Sequence, residues 1–343
     1  MSTFDTPALG PGLLAQVDPE RRLEPRPKWR GWAPSNGSRK ALAALVLLVA
    51  CLGCGETVEP TETTSPAPPA KRVPFQKDRK WGFTDGAGHV VIAPAYDGVS
   101  EFSEGLAAVN VGGTRWWPGP LEGGKWGYVD EKGTLVIPTR WTHAQPFSEG
   151  LALVIDGHDR CYIDRSGRTV IRLEDVRAAG SFREGLAPAY ADRSLDGLGW
   201  QTRYIDRTGK TALVVEGYAE EFHEGLAVLS VQTDEGRRCG FIDREGKGVI
   251  APVFAEVSHF SGGLAAVRPE KTGPVYGKGD RWGYIDRTGK YAIGLKFNEA
   301  HPFAGGVARV HVGGELVQVA THQPMAWKGG EWQLIDRTGR VLK

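Results

Sequence analysis

From Lys80 to Lys343 apolar and polar positions alternate in short runs, and the runs recur. The stretch KWGYVDEKGTLVIP, residues 125–138, shows one copy: a strand WGYVD, a polar turn and a β-branched strand TLVIP. Its relatives open at Trp81, Trp126, Cys161, Arg203, Cys239, Trp282 and Trp332, and the aspartate closing each first strand recurs every 34 to 50 residues. A second landmark, FSEGLA at 102–107, returns at 147–152, 182–187 and 222–227, with looser copies at 260–265 and 303–308. A third strand follows each of its glycines, so each unit predicts three short strands and no helix.

The turn chemistry agrees with this pattern. DRTGK places Asp at the first position of a type I turn and Gly at the fourth, where a left-handed residue gives a bulged hairpin. Pro94, Pro138 and Pro252 are expected to end the second strand by removing a ladder donor. The tryptophans Trp81, Trp126, Trp282 and Trp332 are expected in the inter-strand core, with the landmark phenylalanines as its second layer.

A different composition precedes the repeats. Residues 1–40 are rich in Pro, Gly and Arg, and the apolar run ALAALVLLVACLGCG follows Arg39 and Lys40. Its uninterrupted part falls short of the ~20 residues that span a bilayer, while a basic flank and small residues at its end are parts of a secretory signal. The ending Leu48-Val49-Ala50-Cys51 resembles the bacterial lipobox, which implies cleavage before Cys51 and lipidation of its thiol. Cys54 is the weaker alternative, and a buried helix or an uncut anchor is the plainer reading. The 40 residues ahead of the apolar run exceed a usual signal and point to a start site placed too far upstream. Residues 55–79 carry Pro, Thr, Ser and Glu with few large apolar side chains, and read as a disordered tether. The organisation expected is a signal or pro-region over 1–50, a lipidated cysteine and tether over 51–79, and a β-repeat domain over 80–343. Its units run about 80–124, 125–159, 160–201, 202–237, 238–280 and 281–330, with a half unit at 331–343.

Repeated K-W-G-[YF]-[IV]-D-x-x-G-x-x-V-I-P followed by F-x-E-G-[LR]-A resembles the bacterial WG-repeat proteins. The resemblance implies β-repeat domains, often exported or lipid-anchored, usually without a known activity. Units three and four depart from it, with Arg160-Cys161 and Thr202-Arg203 in place of the tryptophan–glycine pair, and Cys239 replaces the tryptophan of unit five. The fold expected is an all-β array of three-stranded antiparallel units, as an open curved stack, with a closed β-propeller as the alternative.

Charge and composition remove some functions. The net charge is +1, with no basic excess to meet nucleic acid. Glycine, at 47 residues, fits a chain of many tight turns. Asp85, Asp130, Asp164, Asp206, Asp243, Asp286 and Asp336 read as turn caps, since calcium asks for six or more oxygens and each turn usually offers one carboxylate. Glu104, Glu149, Glu184 and Glu224 recur in equivalent settings, whereas an acid pair for hydrolysis needs two differently tuned carboxylates. No zinc spacing, P-loop or nucleophile elbow occurs, so no cofactor, metal or catalytic residue is assigned.

Variation in length is concentrated between the third strand and the next Trp-Gly strand, over residues 110–124, 191–202, 269–281 and 312–331. Insertions at one place in a repeat project from one side of the array, a common form of binding surface. Arg115, Trp116, Trp117, Trp200, Tyr276 and Trp327 are the candidate binding residues they carry; folding back over sheet edges is the competing reading. The function expected is a non-catalytic binding or scaffolding module, exported and anchored in the cell envelope, on the periplasmic face of an outer membrane or at the cell surface. Its partner is expected to be a protein, with cell-wall glycan as the alternative; an enzyme with a site built from the loops is the third reading.

Overall fold

A computed structural model describes residues 71–115, 121–190, 201–234, 236–269, 281–318 and 325–342. The signal, Cys51, Cys54 and most of the tether lie outside the described residues. Within them every regular element is a strand, and the strands form seven small antiparallel sheets, here I to VII, and one extra hairpin.

Sheet II shows the plan: strands Gly98–Val99, Leu106–Arg115, Leu121–Asp130 and Leu135–Trp141, paired in that order. Sheets III to VI repeat it over residues 143–173, 178–216, 218–254 and 256–297. The three long strands expected of each unit are present. A short strand from the connector joins them, two residues long in all but one of sheets II to VI, so a sheet draws its first two strands from one sequence unit and its last two from the next.

That offset settles both ends of the array. Glu331–Asp336, from the terminal half unit, pairs with Val307–Val312 and completes sheet VII. Sheet I is completed by Val73–Lys77 pairing with Lys80–Thr84, so the first described strand begins at Val73, inside the stretch assigned to the tether. Phe75 and the flanking β-former Val73 suit a strand, and Asp78 and Arg79, at φ 51° and 63°, make a two-residue turn with both centres left-handed. Among the described residues no sheet joins sheet I to sheet VII.

The core lies between sheets. Leu106, Tyr128 and Ile137 of sheet II pack with Phe147, Val154 and Ile163 of sheet III, and each of the six core clusters draws on two consecutive sheets. At every joint the aromatic residue of the first long-strand motif meets the landmark phenylalanine of the next sheet. Phe83–Phe102, Tyr128–Phe147, Tyr162–Phe182, Tyr204–Phe222, Phe241–Phe260 and Tyr284–Phe303 have centroids 4.7–4.9 Å apart. Such pairs contribute about 0.5–1.5 kcal/mol beyond area burial. Where this residue is tyrosine, its hydroxyl also donates across the joint to a connector carbonyl, as Tyr128 does to Gln145 and Tyr162 to Gly180. The phenylalanine layer is as expected, but the tryptophans are not the centre of the core. Trp81, Trp126 and Trp282 are half-buried at its rim and Trp332 is 37% exposed.

The glycine of the tryptophan–glycine pair answers to the opposite strand. Between Trp126 and Tyr128 the partner runs from Trp141 to Ile137, two residues more than regular pairing allows. That bulge brings the Ile137 carbonyl to 2.5 Å from where a β-carbon on Gly127 would sit, and Gly82 and Gly240 meet Ile92 and Ile250 in the same way. Pro94, Pro138 and Pro252 lie in these bulges, within strands rather than at their ends, because a bulge already gives up the ladder donor that proline lacks. In sheets III and IV Cys161 faces Arg172 and Arg203 faces Val214 in regular register, with no bulge at that point, so a side chain is tolerated there.

Candidate functional site

Leu106 lies opposite Asp130, so the Phe-Ser-Glu-Gly turn and the aspartate turn share one end of each sheet, and the insertions leave from the other. At the turn end the repeated polar residues are engaged locally. The Asp130 carboxylate accepts from the Lys132 and Thr134 amides, and the same geometry recurs at the other six aspartates. The Thr208 hydroxyl, followed by the Thr208 and Lys210 amides, holds the Asp206 carboxyl below its ordinary range. The landmark glutamates reach across joints: Glu104 accepts from the Gly150 amide at 2.9 Å and Glu149 from Gly185 at 2.9 Å. Serines add a parallel bond, from Ser103 to the Phe147 carbonyl, Ser148 to Phe182 and Ser261 to Phe303.

Two places break this regularity. The first is the joint of sheets V and VI, where His223 stands in place of the landmark serine, as Arg183 does one joint earlier. His223 stacks on His259 of sheet VI with centroids 4.0 Å apart and planes 20° from parallel. Burial, then the His259 ring and the Arg183 guanidinium, push the His223 imidazole down to about 4, and burial depresses His259 as well.

The second break is at the insertion end of sheet VII. The insertion between its last two strands continues as a separate hairpin, Glu315–Gln318 against Met325–Lys328. It carries Trp327 over His311, ring centroids 4.3 Å apart and planes 18° from parallel. The Trp327 indole N–H donates to Glu299 Oε2 at 2.8 Å, while Glu299 Oε1 lies 3.3 Å from His301 Nε2. His311 is 1% exposed, and its Nδ1 has no hydrogen-bond partner among the described residues. Trp332 meets His311 edge-on, and the Arg309 guanidinium lies 3.9 Å from the Trp332 centroid.

Of the binding residues read from the sequence, Trp327 is thus placed in a polar–aromatic cluster, half-buried and engaged on its face and at its nitrogen. Arg115 is in the backbone pairing, opposite Leu121, because the insertion after residue 110 begins and ends as a continuation of two strands and not as an irregular loop. Trp116, Trp117, Trp200 and Tyr276 lie outside the described residues. His301, His311 and Glu299 were not singled out by sequence. Their signal was positional: His311 occupies the strand place held by Asn110, Ile155, Tyr190, Ser230 and Arg268 in the other sheets, a place that differs in every unit. Among the described residues no three His, Cys, Asp or Glu side chains are placed to hold a metal, and Cys161 and Cys239 are free thiols, the former half-buried and the latter buried.

None of the curated proteins compared matches the chain. Solved structures it is similar to include a eukaryotic initiation factor, at 10% identity over 80% of this chain and 73% of that one, TM-score 0.49. The dipeptidyl peptidase 4 of Porphyromonas gingivalis matches at 8% identity over 80% of this chain and 51% of its own, TM-score 0.49. The β-propeller domain of the Trilobed protease from Pyrococcus furiosus matches at 10% identity over 71% and 83%, TM-score 0.46. The chain spans about half of the peptidase, and none of these likenesses bears on what it does. The model of the WG containing repeat matches residues 81–114, 126–157, 240–268 and 282–315. Those four stretches are the units with a glycine facing a bulge, while the two regularly paired units fall outside them. The chain carries the WG containing repeat in four of its units.

Proposed function

We propose that the chain is a lipid-anchored protein of the cell envelope whose repeat array binds or scaffolds protein partners and catalyses nothing itself. The observation that carries this reading is the division of labour between the two ends of each sheet. Side chains common to the units hold neighbouring sheets together, and the side chains that differ gather where the insertions leave, as around Trp327 and His311. A surface of one-off residues on a repeated frame suits recognition. The Leu48–Cys51 ending and the Pro/Thr-rich stretch after it support export, lipidation of Cys51 and a tether to the membrane. Replacing Cys51 by Ser should move the protein from the membrane to the soluble fraction; unchanged fractionation would refute the anchor. Cross-linking in intact cells should recover one partner with the full chain and lose it when residues 315–328 are replaced by a short glycine turn. A cell-wall glycan is the second reading, favoured by Trp332, whose partly exposed ring lies beside Arg309. Retention on cell-wall material that is unaffected by Trp332→Ala would count against it.

A further inference from the structure

Comparing the five joints from II–III to VI–VII shows one that lacks a component the other four share. In each of the four, a glutamate of one sheet accepts from a glycine amide in the next. Glu104 takes Gly150, Glu149 takes Gly185, Glu184 takes Gly225 through both oxygens, and Glu224 takes Gly262 at 2.6 Å and Gly263 at 2.9 Å. An arginine from the aspartate turn of the later sheet stands over the same place. Arg165, Arg207, Arg244 and Arg287 bring Nη2 to 3.4–3.9 Å from where a β-carbon on the adjacent landmark glycine would lie. Arg207 Nη1 is 3.8 Å from Glu149 Oε2.

At the VI–VII joint the residue in the glutamate position is Gly262. Its φ of 62° is close to the 52–53° of the four glutamates, so the backbone is the same and only the carboxylate is missing. The donors remain. Arg337 keeps its place, with Nη2 3.2 Å from where a β-carbon on Gly263 would lie. The amides of Gly305 and Gly306, which correspond to those of Gly262 and Gly263 one joint earlier, have no acceptor among the described residues. A β-carbon at Gly262 would meet nothing closer than 3.8 Å, and one at Gly305 or Gly306 nothing within 4 Å, so the place is open.

We propose that the VI–VII joint binds a carboxylate supplied by another molecule, held by the Gly305 and Gly306 amides and the Arg337 guanidinium as the glutamates are held elsewhere. Backbone amides and a guanidinium together are a strong carboxylate receptor. The inference rests on neither the anchor nor the insertion end, so it stands or falls apart from the proposed function.

The test titrates the full chain with sodium acetate against sodium chloride at constant ionic strength, following amide resonances. Gly305 and Gly306 should shift saturably with acetate, and the shifts should vanish in Arg337→Gln and in Gly262→Glu. The second variant, which restores the internal carboxylate at a φ that four glutamates already adopt, should also raise the unfolding midpoint. Parallel arms with N-acetylglutamate α-amide and N-acetylglycine distinguish a side-chain carboxylate from a chain end; saturable shifts with either support the site. Absence of a saturable shift with all three probes, or identical shifts in Gly262→Glu, would overturn it.

Discussion

The two ends of each sheet differ in what they repeat. At the turn end, the aspartate cap recurs in all seven sheets, the aromatic pair at all six joints and the glutamate–amide bond at four. At the insertion end, the residue next to the insertion is Asn110, Ile155, Tyr190, Ser230, Arg268 or His311, and no two sheets agree. The difference follows from how an array is built. A sheet of four short strands buries its faces only against neighbours, so the bonds that join neighbours have to be present in every unit. The opposite end has no such duty, and its side chains are free to differ.

The sharpest way to break this comparison is to remove a joint's aromatic pair. Phe182→Ala, at a fully buried position against Tyr162, should cost about 3–5 kcal/mol, read by denaturant unfolding. Next comes the bulge rule. Gly127→Ala should cost about 1–3 kcal/mol by forcing a carbon against the Ile137 carbonyl, while Cys161→Ala, in the regularly paired strand, should cost less. Glu184→Gln removes a charge-assisted bond to Gly225 and should cost about 1–2 kcal/mol, a few degrees in midpoint for a domain of this size. Trp327→Ala, at the insertion end, should change array stability by less than about 1 kcal/mol while weakening partner capture.

The acid response is smaller and localised. Because burial depresses the folded-state His223 imidazole to about 4, the unfolded chain binds more protons between that value and the ordinary 6.5. Stability contributed by the neutral stacked pair is therefore intact above about 6.5 and declines as pH falls toward 4. Arg183 faces the pair and adds to the effect, whereas Glu224, and Glu221 on the His259 side, oppose it. Imidazole titration by NMR should find His223 moved back toward its ordinary value in His259→Asn.

Much of the fold was legible because hairpins are local. The aspartate-to-glycine turn, the β-branched strand and the landmark phenylalanine follow one another closely, as from Asp130 to Phe147, and each behaved as its chemistry required. What was not legible depended on partners far along the chain. The two-residue first strands of sheets II, III, IV, VI and VII have too few residues to show a period, so the offset between unit and sheet was hidden. Tryptophan was read as the core residue for its size, yet it sits near the strand end, and the tyrosine or phenylalanine two residues on takes the centre on the same face. The glutamates were read as strand-entry residues because their acceptor role lies 36 to 46 residues away. Proline was read by its usual effect on strands, and the bulge that accommodates it appears only when the opposite strand is in place. The Trp327–His311 contact joins an insertion to a strand in the same unit, but nothing in spacing alone aligns two such rings.

Amide hydrogen exchange in carboxylate-free buffer tests the central claim, that the turn end joins the sheets through glutamate–amide bonds. Gly150, Gly185, Gly225 and Gly263 should be protected, while Gly306, in the same turn of the next sheet but without a glutamate to accept its proton, should exchange far faster. Equal protection at Gly306, or rapid exchange at all five, would contradict it.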